Sequence, residues 1–107
     1  MTTQSLAPNL HVGTFLGTKD QTFEIDVSPQ YLDNVITIIP QSTTGVAYIK
    51  AAVTENTGFE NVENGIINYS VERTLRISGY PIRSFQVVMS ETVPFTIYVK
   101  QYRGDNE

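Results

Sequence analysis

Few side chains in this sequence could do chemistry, and their spacing limits what that chemistry could be. His11 is the single histidine. A Ser-His-Asp relay would have to use it, yet no G-x-S-x-G elbow accompanies it. The sequence therefore places His11 as a surface or interface residue at the edge of the first strand. Glu24 and Asp26 stand two apart in an alternating run, so their carboxylates project from one strand face. Such a pair could ligate calcium or serve as the acid and base of a glycosidase. No stretch has the alternating acidic residues and central glycine of a calcium loop, and nothing in the sequence brings Glu60 and Glu63 to Glu24. The pair reads as the solvated face of an amphipathic strand. With no cysteine in the chain, thiolate metal sites, thiol redox chemistry and a Cys nucleophile are excluded. The expectation is a non-enzymatic protein with no catalytic residue, no metal ligand and no cofactor.

Two short motifs carry little weight. Arg103-Gly104-Asp105 spells an integrin-recognition tripeptide at a polar tail, and Asn68-Tyr69-Ser70 matches the glycosylation sequon. The sequon needs a secretory route, and the opening residues Met1-Thr2-Thr3-Gln4-Ser5 have neither the basic flank nor the apolar stretch of a signal peptide. The expected setting is a cytoplasm, or release from one without a secretion pathway.

Contact chemistry is better represented. The chain has 6 tyrosines. Counting by two along the last strand sets Tyr98 and Tyr102 with Thr96 and Lys100, opposite Phe95, Ile97 and Val99. These two tyrosines should face outward, where amphipathic aromatics serve as interface anchors. They also stack on sugars, which keeps a carbohydrate-binding reading open with Glu24 and Asp26 as its polar partners. The polar stretch before the first strand (Thr2, Thr3, Gln4, Ser5, Leu6, Ala7, Pro8 and Asn9) reads as an arm without core contacts of its own, suited to lie along a neighbouring protein.

The elements that must position these residues are all short strands. At 107 residues the chain fits one domain. A length of this order allows a core without disulfide staples. Phe23, Ile25 and Val27 alternate with Thr22, Glu24 and Asp26, the period of a half-buried strand. Val12, Thr14 and Leu16 are read as one face of the first run, with Phe15 on the other. Val35–Ile39 is nearly continuous and apolar, as in a central strand, and Pro40 stops it. Ala47, Ile49, Ala51 and Val53 form one face of the next run. Asn64-Gly65 is the strongest hairpin signal. Arg83–Ser90 and Val93–Tyr102, around Glu91-Thr92, read as a closing hairpin. The whole predicts an all-β, antiparallel sandwich of about eight strands, jelly-roll-like in outline. Its boundaries are an arm at 1–9, the sandwich at 10–102 and a polar tail at 103–107. The predicted core is Phe23, Ile25, Val27, Ile36, Ile38, Ile49, Leu75, Ile77, Phe85, Val87, Phe95, Ile97 and Val99.

Charge narrows the partners. Seven basic residues against eleven acidic ones give a net charge of −4, the wrong balance for displacing counterions from nucleic acid or for an anionic membrane. No run approaches the roughly 20 apolar residues of a membrane helix. Protein partners remain. The segment Ile77-Ser78-Gly79-Tyr80-Pro81-Ile82-Arg83-Ser84-Phe85, followed by Pro94-Phe95-Thr96-Ile97-Tyr98-Val99-Lys100-Gln101-Tyr102, resembles the ending of many small accessory virion proteins of tailed phages. In those a Gly-x-Pro turn leads into a strand, and a second strand closes the sandwich before a polar tail. The resemblance implies a capsid cement, or decoration, protein. Such a protein is located in the virion, is often a homotrimer, and binds the major capsid protein or another virion protein. It brings no catalytic residues to this sequence.

Overall fold

The computed structural model describes residues 2–16, 18–42, 44–52, 58–78 and 81–103. Val53, Gly79, Tyr80, Gly104 and Asp105, all used in the sequence reading, lie outside the described residues. Among those described there are nine strands and no helix: β1 (Thr2–Ala7), β2 (Leu10–Phe15), β3 (Thr22–Asp26), β4 (Asp33–Pro40), β5 (Val46–Ala52), β6 (Glu60–Asn68), β7 (Thr74–Ser78), β8 (Ser84–Met89) and β9 (Phe95–Tyr102). One sheet has the order β1-β2-β9-β4-β7 and the other β3-β8-β5-β6.

The pairing follows a single rule. β2 pairs with β9, β3 with β8, β4 with β7 and β5 with β6, all antiparallel. The chain from β2 to β9 is thus one long ribbon of paired strands. That ribbon is wrapped so that β9 also meets β4 and β8 also meets β5. This is the jelly-roll arrangement, with β1 added at one edge.

The core lies between the sheets because one parity of most of the strands is predominantly apolar. Phe23, Ile25, Ile49, Phe85 and Val87 come from one sheet and meet Ile36, Ile38, Ile97 and Val99 from the other, all buried. Leu75 is only partly buried against this cluster. Phe15, Phe23 and Phe95 stack at one end with ring centroids 5.1–5.5 Å apart, tying β2 and β9 to β3 across the gap.

Four sequence expectations change. The arm is a strand: Thr2–Ala7 pairs with β2, and Pro8-Asn9 form the two-residue turn between them. Proline's fixed φ suits that position. In the first run the buried parity is His11, Gly13 and Phe15, while Leu16 is exposed. Gly13 has no side chain and His11 is polar, so the run looks more apolar on its outer side; the phenylalanine cluster nevertheless decides which side faces in. The closing hairpin does not form. β8 takes β3 and β5 as neighbours, β9 takes β2 and β4, and Ser90–Pro94 cross from one sheet to the other. Pro94, which lacks an N–H, still accepts from Gln41 N at 2.9 Å. Lastly, Asn64-Gly65 is no hairpin turn but part of a wide bulge in β6. Tyr48 pairs with Ile66 and Lys50 with Asn61, so 62–65 face Ile49 alone. A Cβ on Gly65 would stand 2.6 Å from the Ile49 carbonyl oxygen, so this position is fixed by close backbone approach rather than by a turn.

Candidate protein interface

The register across the five-stranded sheet assembles one outer face from residues far apart in sequence. Val12, Tyr98, Thr37 and Thr74 make one row across β2, β9, β4 and β7. The row to one side is Leu10, Lys100, Val35 and Arg76, and the row to the other holds Thr14, Thr96 and Ile39. Tyr98 is 37% exposed and Ile39 45% exposed, so an aromatic and a branched aliphatic side chain stand open on neighbouring strands. Tyr102 lies on the same face, half-buried. Lys100 Nζ sits 5.5 Å from the Tyr102 ring centroid, within reach of the ring's negative face. Beside Tyr102 in register is Asp33, buried under a forked contact from Arg76 whose Nε donates to Oδ1 at 2.8 Å. That carboxylate, by hydrogen bond and charge, holds the exposed Arg76 guanidinium above its ordinary pKa.

The outward placement of Tyr98 expected from sequence thus stands, and Tyr102 shares its face under the cover of Lys100. Ile39 and Val35 were missed. The run Val35–Ile39 reads as apolar on both sides, but Ile36 and Ile38 alone take the core; Thr37, on the other parity, was the clue that this parity meets solvent. The backbone of Thr2–Ala7 forms the edge of the same sheet. Pro8 and Asn9 serve the domain itself: Ser28 Oγ donates to Pro8 O at 2.8 Å, and Asn9 Nδ2 donates to Gln101 O at 3.1 Å.

His11 is not on the surface. It is 4% exposed and sits in a polar cluster within the sandwich. Gln101 Oε1 accepts from Ser28 N at 3.0 Å and lies 2.8 Å from His11 Nε2. An amide oxygen can only accept, so His11 donates from Nε2. Gln101 Nε2 donates to Ser28 O at 2.9 Å and to Asn34 Oδ1 at 2.7 Å. One buried side chain therefore ties β2, β4, β9 and the segment after β3 together. This cluster explains the histidine structurally, since burial of a polar group is tolerated only when its partners are supplied.

A second polar cluster fixes the opposite end. Buried Tyr69 donates its hydroxyl to Glu91 Oε2 at 2.5 Å, and Ser42 Oγ donates to the same carboxylate at 3.2 Å. Burial, then the hydrogen bond to Glu91 and that residue's charge, push the Tyr69 phenol up to about 12, against a smaller lowering by a hydrogen bond from Ser90. Gly45, at φ +139°, leaves the room these groups occupy: a Cβ there would overlap both the Tyr69 hydroxyl and the Glu91 carboxylate.

Glu24 and Asp26 are exposed on β3, an edge of the four-stranded sheet. They point away from the sandwich on the side opposite Tyr98 and Tyr102, so the sugar site that would have combined them is not assembled. On their own sheet the β6 bulge opens a groove of about 550 Å³ lined by Tyr48, Lys50, Val62, Ile66 and Val88. Among the described residues no three His, Asp or Glu side chains gather to hold a metal ion. Among the described residues no helix is long and apolar enough to cross a membrane. Comparison of the chain with protein-family models, with curated proteins and with solved structures finds no match.

Proposed function

We propose that this protein is a non-enzymatic virion structural protein of the capsid cement type, which docks on a protein shell through the outer face of its five-stranded sheet. The observation that carries the docking reading is that face itself. Tyr98 and Ile39 stand open on adjacent strands with Val12 and Val35 beside them, and among the described residues the paired strands of this face place the charged side chains Lys100, Arg76 and Asp33 on it. An exposed aromatic flanked by aliphatic and threonine side chains, with a single lysine, Lys100, on the same central strand, suits a protein interface. The virion setting rests on the resemblance of the segments 77–85 and 94–102 to the endings of small phage accessory proteins. A shell offers many identical sites, so modest contacts at each copy give a stable coat through effective concentration.

The test is co-sedimentation of the purified protein with phage capsid shells stripped of accessory proteins, beside a glycan array probed with the same preparation. Saturable binding to shells with an empty array supports the reading. Binding to a defined glycan class without shell binding would replace it with a carbohydrate-recognition role.

A further inference from the structure

The groove on the four-stranded sheet combines open apolar surface with a charge that has no partner. Val88, Tyr48 and Ile66 make one row across β8, β5 and β6. Tyr48 is 45% exposed and Ile66 56% exposed, with half-buried Val62 and Val88 beside them. Lys50 is half-buried in the next row, between Gln86 and Asn61. Among the described residues it makes no ion pair and no hydrogen bond. The acid in that row, Glu24, stands two strands away across Gln86. In a chain of seven basic and eleven acidic residues a counter-charge would be easy to supply, and a partly desolvated charge is usually paired.

We propose that this groove binds a small amphiphilic carboxylate, its apolar body against Tyr48, Val62, Ile66 and Val88 and its carboxylate on the Lys50 ammonium. Three observations select that occupant. The groove volume of about 550 Å³ falls within the roughly 300–1,000 Å³ of small-molecule sites, which set a few polar groups in an apolar lining. The one cation, Lys50, matches the single charge of a carboxylate. The wide bulge breaks the regular ladder that an added strand would need, so the occupant is a small molecule and not an extended peptide. Bulges recur beside functional sites because they re-aim side chains. Here the insertion brings Val62 and Gly65 to the groove. The groove lies on the sheet opposite the Tyr98 face, so this binding does not depend on shell docking.

The test is a nitrogen–proton NMR titration of the full chain to millimolar octanoate, decanoate and naphthoate in turn, each beside its neutral carboxamide. At least one acid should give saturable shifts in the backbone N–H signals of Tyr48, Lys50, Ile66 and Val88. Its carboxamide should bind roughly tenfold or more weakly, the scale of one charge-assisted hydrogen bond. Lys50→Gln should bring the acid down to the level of its carboxamide, and Ile66→Ser should weaken both. Tyr98→Ala, on the other sheet, should bind as the parent chain does. No saturable shift with any of the three acids, equal binding of acid and carboxamide, or shifts centred on the Tyr98 face would each overturn the proposal. If a variant fails to fold, the parent chain's comparison of acid with carboxamide still decides.

Discussion

Gln101 has no reactivity, yet it bonds to Ser28, Asn34 and His11 from a fully buried position. Replacing it with leucine keeps the volume and removes every partner at once. The part-buried Ser28 N–H and C=O and the buried Asn34 Oδ1 would then lose these hydrogen bonds, and a buried group left unsatisfied costs about 1–3 kcal/mol. Gln101→Leu should therefore destabilise the domain by roughly 3 kcal/mol or more, read as a lower urea midpoint. This residue was legible in principle, because strict alternation from Phe95, Ile97 and Val99 carries Gln101 inward; a polar side chain on a core parity is the signal. His11 was harder, since only the side taken by Phe15 reveals where it points. Tyr69 makes a second prediction. The unfolded phenol ionises near 10.0, the folded one near about 12. Stability from this group is whole below pH 10 and is lost as pH rises through that window, by roughly 2–3 kcal/mol. Tyr69→Phe should show a flatter fall in stability between pH 10 and 12 than the parent chain. Parallel slopes in the two proteins would mean that burial and the Glu91 contact do not hold the proton.

At the scale of elements, the strands that alternate strictly were legible and the connections were not. β3 places Phe23 and Ile25 inward and Thr22, Glu24 and Asp26 outward, as its period requires. β9 does the same, so Ile97→Ala should cost about 2–5 kcal/mol, the usual range for emptying a packed core position. Whether β8 and β9 share a sheet cannot be read from alternation, because both present an apolar face to the same core in either case. The distinction lies in which strands supply their neighbours, and those pairings span most of the chain, as Leu10 with Lys100 does. The bulge in β6 escaped for a related reason: Asn-Gly tolerates a tight turn, but here the glycine is used for close approach to Ile49. Gly45 joins β4 to β5 and is constrained twice, by positive φ and by the Tyr69–Glu91 pair. Gly45→Ala should lower the thermal midpoint more than Gly58→Ala, since a Cβ at Gly58 meets nothing. Equal midpoints would show that the loop can shift without cost.

At the scale of the molecule, the sandwich presents two unlike faces. The four-stranded sheet carries the Glu24–Asp26 pair and a groove; the five-stranded sheet carries an open aromatic and aliphatic surface with sparse charge. Strand pairing brings Val12, Ile39 and Tyr98 together from three strands, and the sequence alone indicated only the tyrosine. The proposed cement role requires this face to be where the protein is held. The direct measurement is occupancy of stripped capsid shells at limiting protein concentration, for the parent chain and for Tyr98→Ala with Tyr102→Ala, after circular dichroism shows that both are folded. The double variant should leave most shell sites empty at a concentration where the parent chain fills them, with the gap widened by multivalent attachment. Equal occupancy by a folded double variant would contradict it and place the contact elsewhere on the molecule.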